Sequence, residues 1–77
     1  MSTLTDGERR LIVEILRKMK ADRSPYVPTK YFKYIPNYKH HIKQLIKKEL
    51  AFLYKAGNAV GLTQEGALLA RQYINSY

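Results

Sequence analysis

The chain has 77 residues, 45% of them hydrophobic, which is room for one domain with a thin core and not for two. It has no cysteine, which removes disulfides, thiolate metal sites and cysteine catalysis, and its formal net charge is +8. No run approaches the roughly 18 apolar residues of a membrane span, and MSTLTDGERR reads without the apolar h-region of a secretory signal. A single cytoplasmic domain over 1–77 with no membrane partner is the expectation.

Thr5-Asp6-Gly7-Glu8 matches a capping box and opens a first helix, with Leu11, Ile12, Ile15, Leu16 and Met19 in one stripe. Arg9, Arg10, Glu14, Arg17 and Lys18 take its wet side, and Ser24-Pro25 ends it. Tyr26-Val27 is short and extended, suited to pair as a third strand. Pro28 suits the first turn of a second helix, predicted over 29–34, with Tyr31, Phe32 and Ile35 toward the core. Pro36 blocks continuation and Asn37 is the predicted N-cap of a third helix running to about residue 49.

That third helix has two faces at about 100° per residue. Tyr38, Ile42, Leu45, Ile46 and Glu49 fall on one side. Asn37, His40, Gln44, Lys47 and Lys48 fall on the other, flanked by Lys43 and His41. Strand formers over 51–55, a turn over 56–59 and Val60-Gly61-Leu62 predict a hairpin with a short basic tip. Thr63 caps a last helix, where Ala67, Leu68, Leu69, Ala70, Tyr73 and Ile74 supply more apolar surface than one stripe requires. Part of that surplus is expected to face a second subunit.

The charge is concentrated in the middle of the chain. Residues 17–55 hold 11 basic and 2 acidic residues, a net of +9, while the rest nets −1. Such a field attracts polyanions and releases counterions on binding. The plainer alternative is a solubilising surface or a thermophile's lysine bias.

The order helix, short strand, helix, turn, helix, hairpin, helix resembles the winged helix-turn-helix family over nearly the whole chain. The most specific piece is GLTQEG at 61–66, which looks like the LTxxG segment where the wing's second strand enters the final helix. YVP at 26–28 and the LTQEGALLA stretch also look like the N-terminal winged domain of Rio-type atypical kinases, whose kinase activity does not carry over to these residues. Small basic winged regulators of archaeal plasmids and viruses are similar as well. The resemblance implies an α+β, mostly helical fold: a three-helix core, a short β-hairpin wing and a C-terminal helix. It implies a sequence-specific double-stranded DNA-binding transcription regulator, with the recognition helix over 37–49 in the major groove and the wing over 51–62 on flanking backbone. His40, Lys43, Gln44 and Lys47 carry over to the recognition helix. Lys55 and Asn58 carry over to the wing, near the phosphate backbone or minor groove.

The chemistry of the side chains fits those roles. Gln44 can pair bidentately with adenine, and Lys43 or Lys47 can donate to guanine O6 and N7. Lys30, Lys33, Lys39 and Lys48 are expected to position the protein on phosphates, with Asn37 on the same DNA-facing side. A solvated face is the alternative. His40 and His41 point about 100° apart on a helix, so no metal is expected there; His40 is either a DNA-facing donor or a plain surface residue. Of seven tyrosines, Tyr26, Tyr31, Tyr34 and Tyr38 cluster around the helix-turn-helix. They are expected to pack in the thin core with hydroxyls toward water or phosphate; stacking on single-stranded bases is the sharper alternative. Tyr73 and Tyr77 are read as closing the core or meeting a second subunit. No catalytic constellation stands out, so neither an enzyme nor a cofactor is expected. A homodimer through the N- and C-terminal helices would double the site read. An RNA- or ribosome-associated domain and a protein-interaction module remain as rival functions.

Overall fold

In the computed structural model, which describes residues 4–75, Thr5 opens α1 (Asp6–Asp22) through the expected capping box. The Thr5 hydroxyl accepts from the Glu8 amide at 3.2 Å, and the Glu8 carboxylate accepts from the Thr5 amide at 3.1 Å. Leu11, Ile12, Ile15 and Leu16 are buried along one stripe. The helix stops at Arg23, which turns left-handed (φ 51°) so that the Ser24 amide reaches back to the Met19 carbonyl. Tyr77 and the outermost ends of the expected domain lie outside the described residues.

The segment between the two prolines differs from expectation. In place of a second α-helix over 29–34 there is one 3-10 turn, Thr29–Phe32, carried onward by Ile35 N–H to Phe32 O and Tyr38 N–H to Ile35 O. A three-residue period puts residues three apart on the same side. Phe32 and Ile35 are therefore both buried, while Tyr31 and Tyr34 both face out, at 40% and 52% exposure. Tyr31 is not a core residue. Lys18 lies over its ring and Arg10 over that of Tyr34, pinning the segment to α1.

Helix α2 (Tyr38–Lys47) follows. Asn37 does not cap it with its side chain; it sits left-handed (φ 61°) and its carbonyl receives the His41 amide. The helix is two residues shorter than expected. Lys48 is its C-cap and Glu49 turns left-handed (φ 62°), with Leu50 N–H bonded to Leu45 O and Glu49 N–H to Ile46 O. Glu49 is thus exposed beyond the helix end rather than on the core side.

Strands β1 (Val27–Pro28), β2 (Ala51–Tyr54) and β3 (Ala59–Leu62) make an antiparallel sheet in the order β1-β3-β2, so the short segment after Pro25 does pair as the third strand. Opposed pairs share a face. Ala51, Leu53, Leu62, Val60 and Val27 point to the helices, and Phe52, Tyr54, Gly61 and Ala59 point away. A second 3-10 turn, Lys55–Gly57, joins β2 to β3.

Helix α3 (Gln64–Ile74) is capped by Thr63, whose hydroxyl accepts from the Gly66 amide and donates to the Glu49 carbonyl. The Thr63 amide also donates to Leu50 O at 3.1 Å, and Gly66 lies so close to that same carbonyl that no Cβ fits between them. These contacts seat the start of α3 on the end of α2. The result is an α+β, mostly helical fold of three helices and one three-stranded antiparallel sheet, with Leu11, Ile15, Val27, Phe32, Leu45 and Val60 at the centre of its core. Among the described residues no helix is long and apolar enough to cross a membrane.

Candidate nucleic-acid interface

Helix α2 presents Lys39, His40, Lys43 and Lys47 to solvent, with Gln44 half-buried beside them and Asn37 exposed just before. Lys39, Lys43 and Lys47 are four residues apart, so they align along about 12 Å of one helix side. None of the three makes an ion pair or hydrogen bond among the described residues. Like charges at that spacing cost a helix a few tenths of a kcal/mol per pair. Local helix stability therefore does not account for the line.

The adjacent side of α2 is occupied. Lys48 is half-buried and donates to the buried carboxylate of Glu8 at 2.7 Å. Expected among the phosphate-positioning residues, Lys48 instead fastens α2 to the first turn of α1. Burial raises the Glu8 pKa, but the Lys48 ammonium, the Thr5 amide and the charges of Lys48 and His41 outweigh it and hold the carboxyl below its ordinary value. His41 joins this seam. Its ring fills the space where a side chain on Gly7 would stand, and its Nδ1 is buried with no hydrogen-bond partner among the described residues. His40, next to it, points to solvent, and the two rings are 5.9 Å apart at 59°. Among the described residues no three His, Asp or Glu side chains are grouped to hold a metal.

Between the start of α2 and the hairpin runs a shallow groove of about 180 Å³. Ile42, Tyr38 and the 43% exposed Leu53 form its floor, and Lys39 and Lys43 stand at its edge. Thr29 and Gly57 close one end, where the Thr29 amide and hydroxyl both donate to the Asn58 carbonyl. Lys30 and Lys33 are exposed on the 3-10 segment leading into α2. The Asn58 side chain is exposed at the hairpin, whereas the Lys55 ammonium lies 5.1 Å over the Tyr26 ring on the far face of the sheet. The expected DNA-facing set therefore falls into three places. Lys39, His40, Lys43, Gln44 and Lys47 share the open side of α2, with Asn37, Lys30 and Lys33 ahead of it. Asn58 stands at the hairpin tip. Lys48 and Lys55 turn elsewhere.

A second concavity, about 590 Å³, follows the wet side of α1 between Asp6 and Arg17. The Arg9 guanidinium covers the Tyr73 ring, and Glu14 accepts from the Tyr34 hydroxyl at 2.9 Å and pairs with Arg17 at 2.8 Å. Burial first, then the hydrogen bond to Glu14, raise the Tyr34 pKa. Among the six described tyrosines, Tyr26, Tyr31, Tyr34 and Tyr73 each lie against a cation, and Tyr38 and Tyr73 pack against the core. Glu8, Gly7 and Gly66 are the residues whose importance sequence reasoning missed. TDGE was legible as a cap and LTQEG as a motif, but neither announced the helix that packs on it.

No family model matches the chain, and no curated protein or solved structure matches it.

Proposed function

We propose that this protein is a sequence-specific double-stranded DNA-binding transcription regulator of the winged helix-turn-helix type. The observation that carries the reading is the Lys39-Lys43-Lys47 line on α2, without ion-pair or hydrogen-bond partners among the described residues and with His40 and Gln44 alongside. A helix entering the major groove needs cations for phosphates and an amide for a base edge on one side, and α2 has both. The 3-10 segment acts as the shortened second helix of the motif, setting Lys30 and Lys33 against backbone phosphates. The hairpin acts as a wing whose Asn58 approaches the flanking strand, and a second copy meeting through α1 and α3 doubles the site. The 51% exposed Leu68 on α3 favours that pairing.

Two substitutions separate reading from positioning. Gln44→Ala relaxes base preference at one position, costing about 1–3 kcal/mol on the preferred site and little elsewhere. Lys33→Ala weakens all duplexes alike and lowers the salt slope by about one. Measured by fluorescence anisotropy on duplexes selected from a random pool, the same affinity for every duplex in both variants refutes the roles. A structured RNA that outcompetes duplex at fixed salt transfers the α2 side to RNA.

A further inference from the structure

The face of the sheet turned away from the helices carries three aromatic rings. Phe52 and Tyr54 alternate onto it from β2, and Tyr26, the residue before β1, joins them. The Phe52 and Tyr54 ring centroids are 4.8 Å apart, and those of Tyr26 and Tyr54 are 4.7 Å apart. Gly61 of the central strand makes the cluster possible, because a side chain there would strike the Phe52 ring. Closing over Gly61 accounts for the half-buried Phe52, and the half-buried Tyr26 packs on the Tyr54 ring. That closure does not account for Tyr54, which is 41% exposed and whose neighbours lie at 59° and 81° to it, so that no ring among the described residues stacks parallel on its own. The Lys55 ammonium is held over the same cluster by the Tyr26 ring.

We propose that this outer face is a binding site for unpaired nucleotides of a single-stranded nucleic acid, a base stacking on Tyr54 and an adjacent phosphate meeting the Lys55 ammonium. Aromatic platforms beside a cation take single strands because every base offers a π-face, with little regard to sequence. The +8 charge of the chain and the fixed cation at the rings select a polyanion over an uncharged partner. The site is distinct from the α2 side and does not rest on the duplex reading. Helix α2 packs on the inner face of β2, and the rings stand on the outer one. A molecule with both sites is suited to a junction, holding paired DNA on one side and a displaced strand on the other.

The test is anisotropy on labelled dT12, rU12 and a blunt duplex at low salt, with Tyr54→Leu, Tyr54→Phe, Lys55→Ala and Lys43→Ala. Tyr54→Leu keeps an apolar contact with Phe52 and removes the π-face. It is expected to weaken dT12 about tenfold and the duplex less than twofold. Tyr54→Phe restores dT12 binding, and Lys55→Ala lowers the single-strand salt slope by about 0.7. Lys43→Ala shows the converse, so failure of the duplex arm alone leaves this site standing. The relative affinities for dT12 and rU12 tell the two sugar backbones apart. The proposal is overturned if dT12 and rU12 fail to bind, if Tyr54→Leu binds them like the unaltered chain, or if a decaglutamate peptide binds through Tyr54 and the oligonucleotides do not.

Discussion

Lys47 and Lys48 are neighbours and chemically identical, yet they have opposite settings. Lys47 stands in open solvent at the end of a line of cations. Lys48, a helical step of about 100° further round, is drawn to the buried Glu8 carboxylate 40 residues away in sequence. The two sides of α2 differ in kind. One is fastened to α1 through Lys48 and His41, and below the helix end Leu50 is fastened to α3 through Gly66 and Thr63. On the other, Lys39, Lys43 and Lys47 have no ion pair or hydrogen bond among the described residues. Net charge alone cannot tell these lysines apart, and a count of basic residues overstates the surface available to a polyanion. A helix fastened on one side presents its open side in one orientation, which the proposed reading of a base edge would use.

The contrast breaks most visibly at Gly66. Gly66→Ala drives a Cβ into the Leu50 carbonyl, a backbone group that can yield only by moving α3 off the end of α2. The expected cost is about 3 kcal/mol. That lowers the melting temperature by roughly 10–20 °C for a domain of this size. A thermal melt within 3 °C of the unaltered protein means that the contact is not what seats α3.

Glu8→Gln attacks the other fastening. Lys48 keeps a hydrogen-bond acceptor but loses its counter-charge in a half-buried position, at a cost of about 2 kcal/mol at pH 7. Because the Glu8 carboxyl titrates below its ordinary 4.5, the unfolded chain binds the proton first as pH falls, and stability rises with pH in that window. The contribution is complete above 4.5 and is lost as pH drops through the lowered folded value. Melting curves of the two proteins should therefore stand apart at pH 7 and converge well below 4.5. A constant gap between pH 7 and pH 2.5 would assign the loss to packing rather than charge.

What was legible in the sequence follows from the same physics. The capping box at Thr5, the Thr63 cap, the two faces of α2 and the pairing of the strand after Pro25 were all carried by local spacing or by residue type. The 3-10 segment was not, because periods of three and 3.6 part by only about 20° per residue, roughly one helical step over the whole six-residue segment, and only Tyr31 changes side decisively. Lys48 sits on the border of the helical wheel, where an assignment by periodicity is weakest, and its partner belongs to another helix. The Tyr26-Phe52-Tyr54 cluster depends on a sheet register that puts β3 in the middle, which no spacing within β2 discloses.

On the open side the same logic predicts an effect on binding without one on folding. Lys47→Ala should leave the melting temperature within about 4 °C, since exposed substitutions away from packed features rarely exceed 0.5 kcal/mol. It should weaken duplex binding several-fold and reduce the salt slope by about 0.9, the signature of one lost phosphate contact. Lys48→Ala should do the reverse, lowering the melting temperature while leaving the slope unchanged. If both variants lose affinity with equal slopes, the seam and the open side are one surface.

The smallest effect concerns how α2 ends. Glu49 holds a left-handed backbone at φ 62°, a conformation that costs an ordinary L-residue about 1 kcal/mol and glycine almost nothing. Its side chain is exposed, so little packing is lost by removing it. Glu49→Gly gives up some entropy in the unfolded chain, about 0.5 kcal/mol, against the strain relieved, leaving a net gain of about 0.5 kcal/mol and a melting temperature 2–4 °C higher. The substitution also removes one of the two acidic residues within 17–55, so duplex affinity should rise slightly at low salt. A gain in affinity that persists at high salt would point instead to a changed orientation of α2, and would mean that the left-handed turn at Glu49 sets the angle at which the lysine line meets its partner.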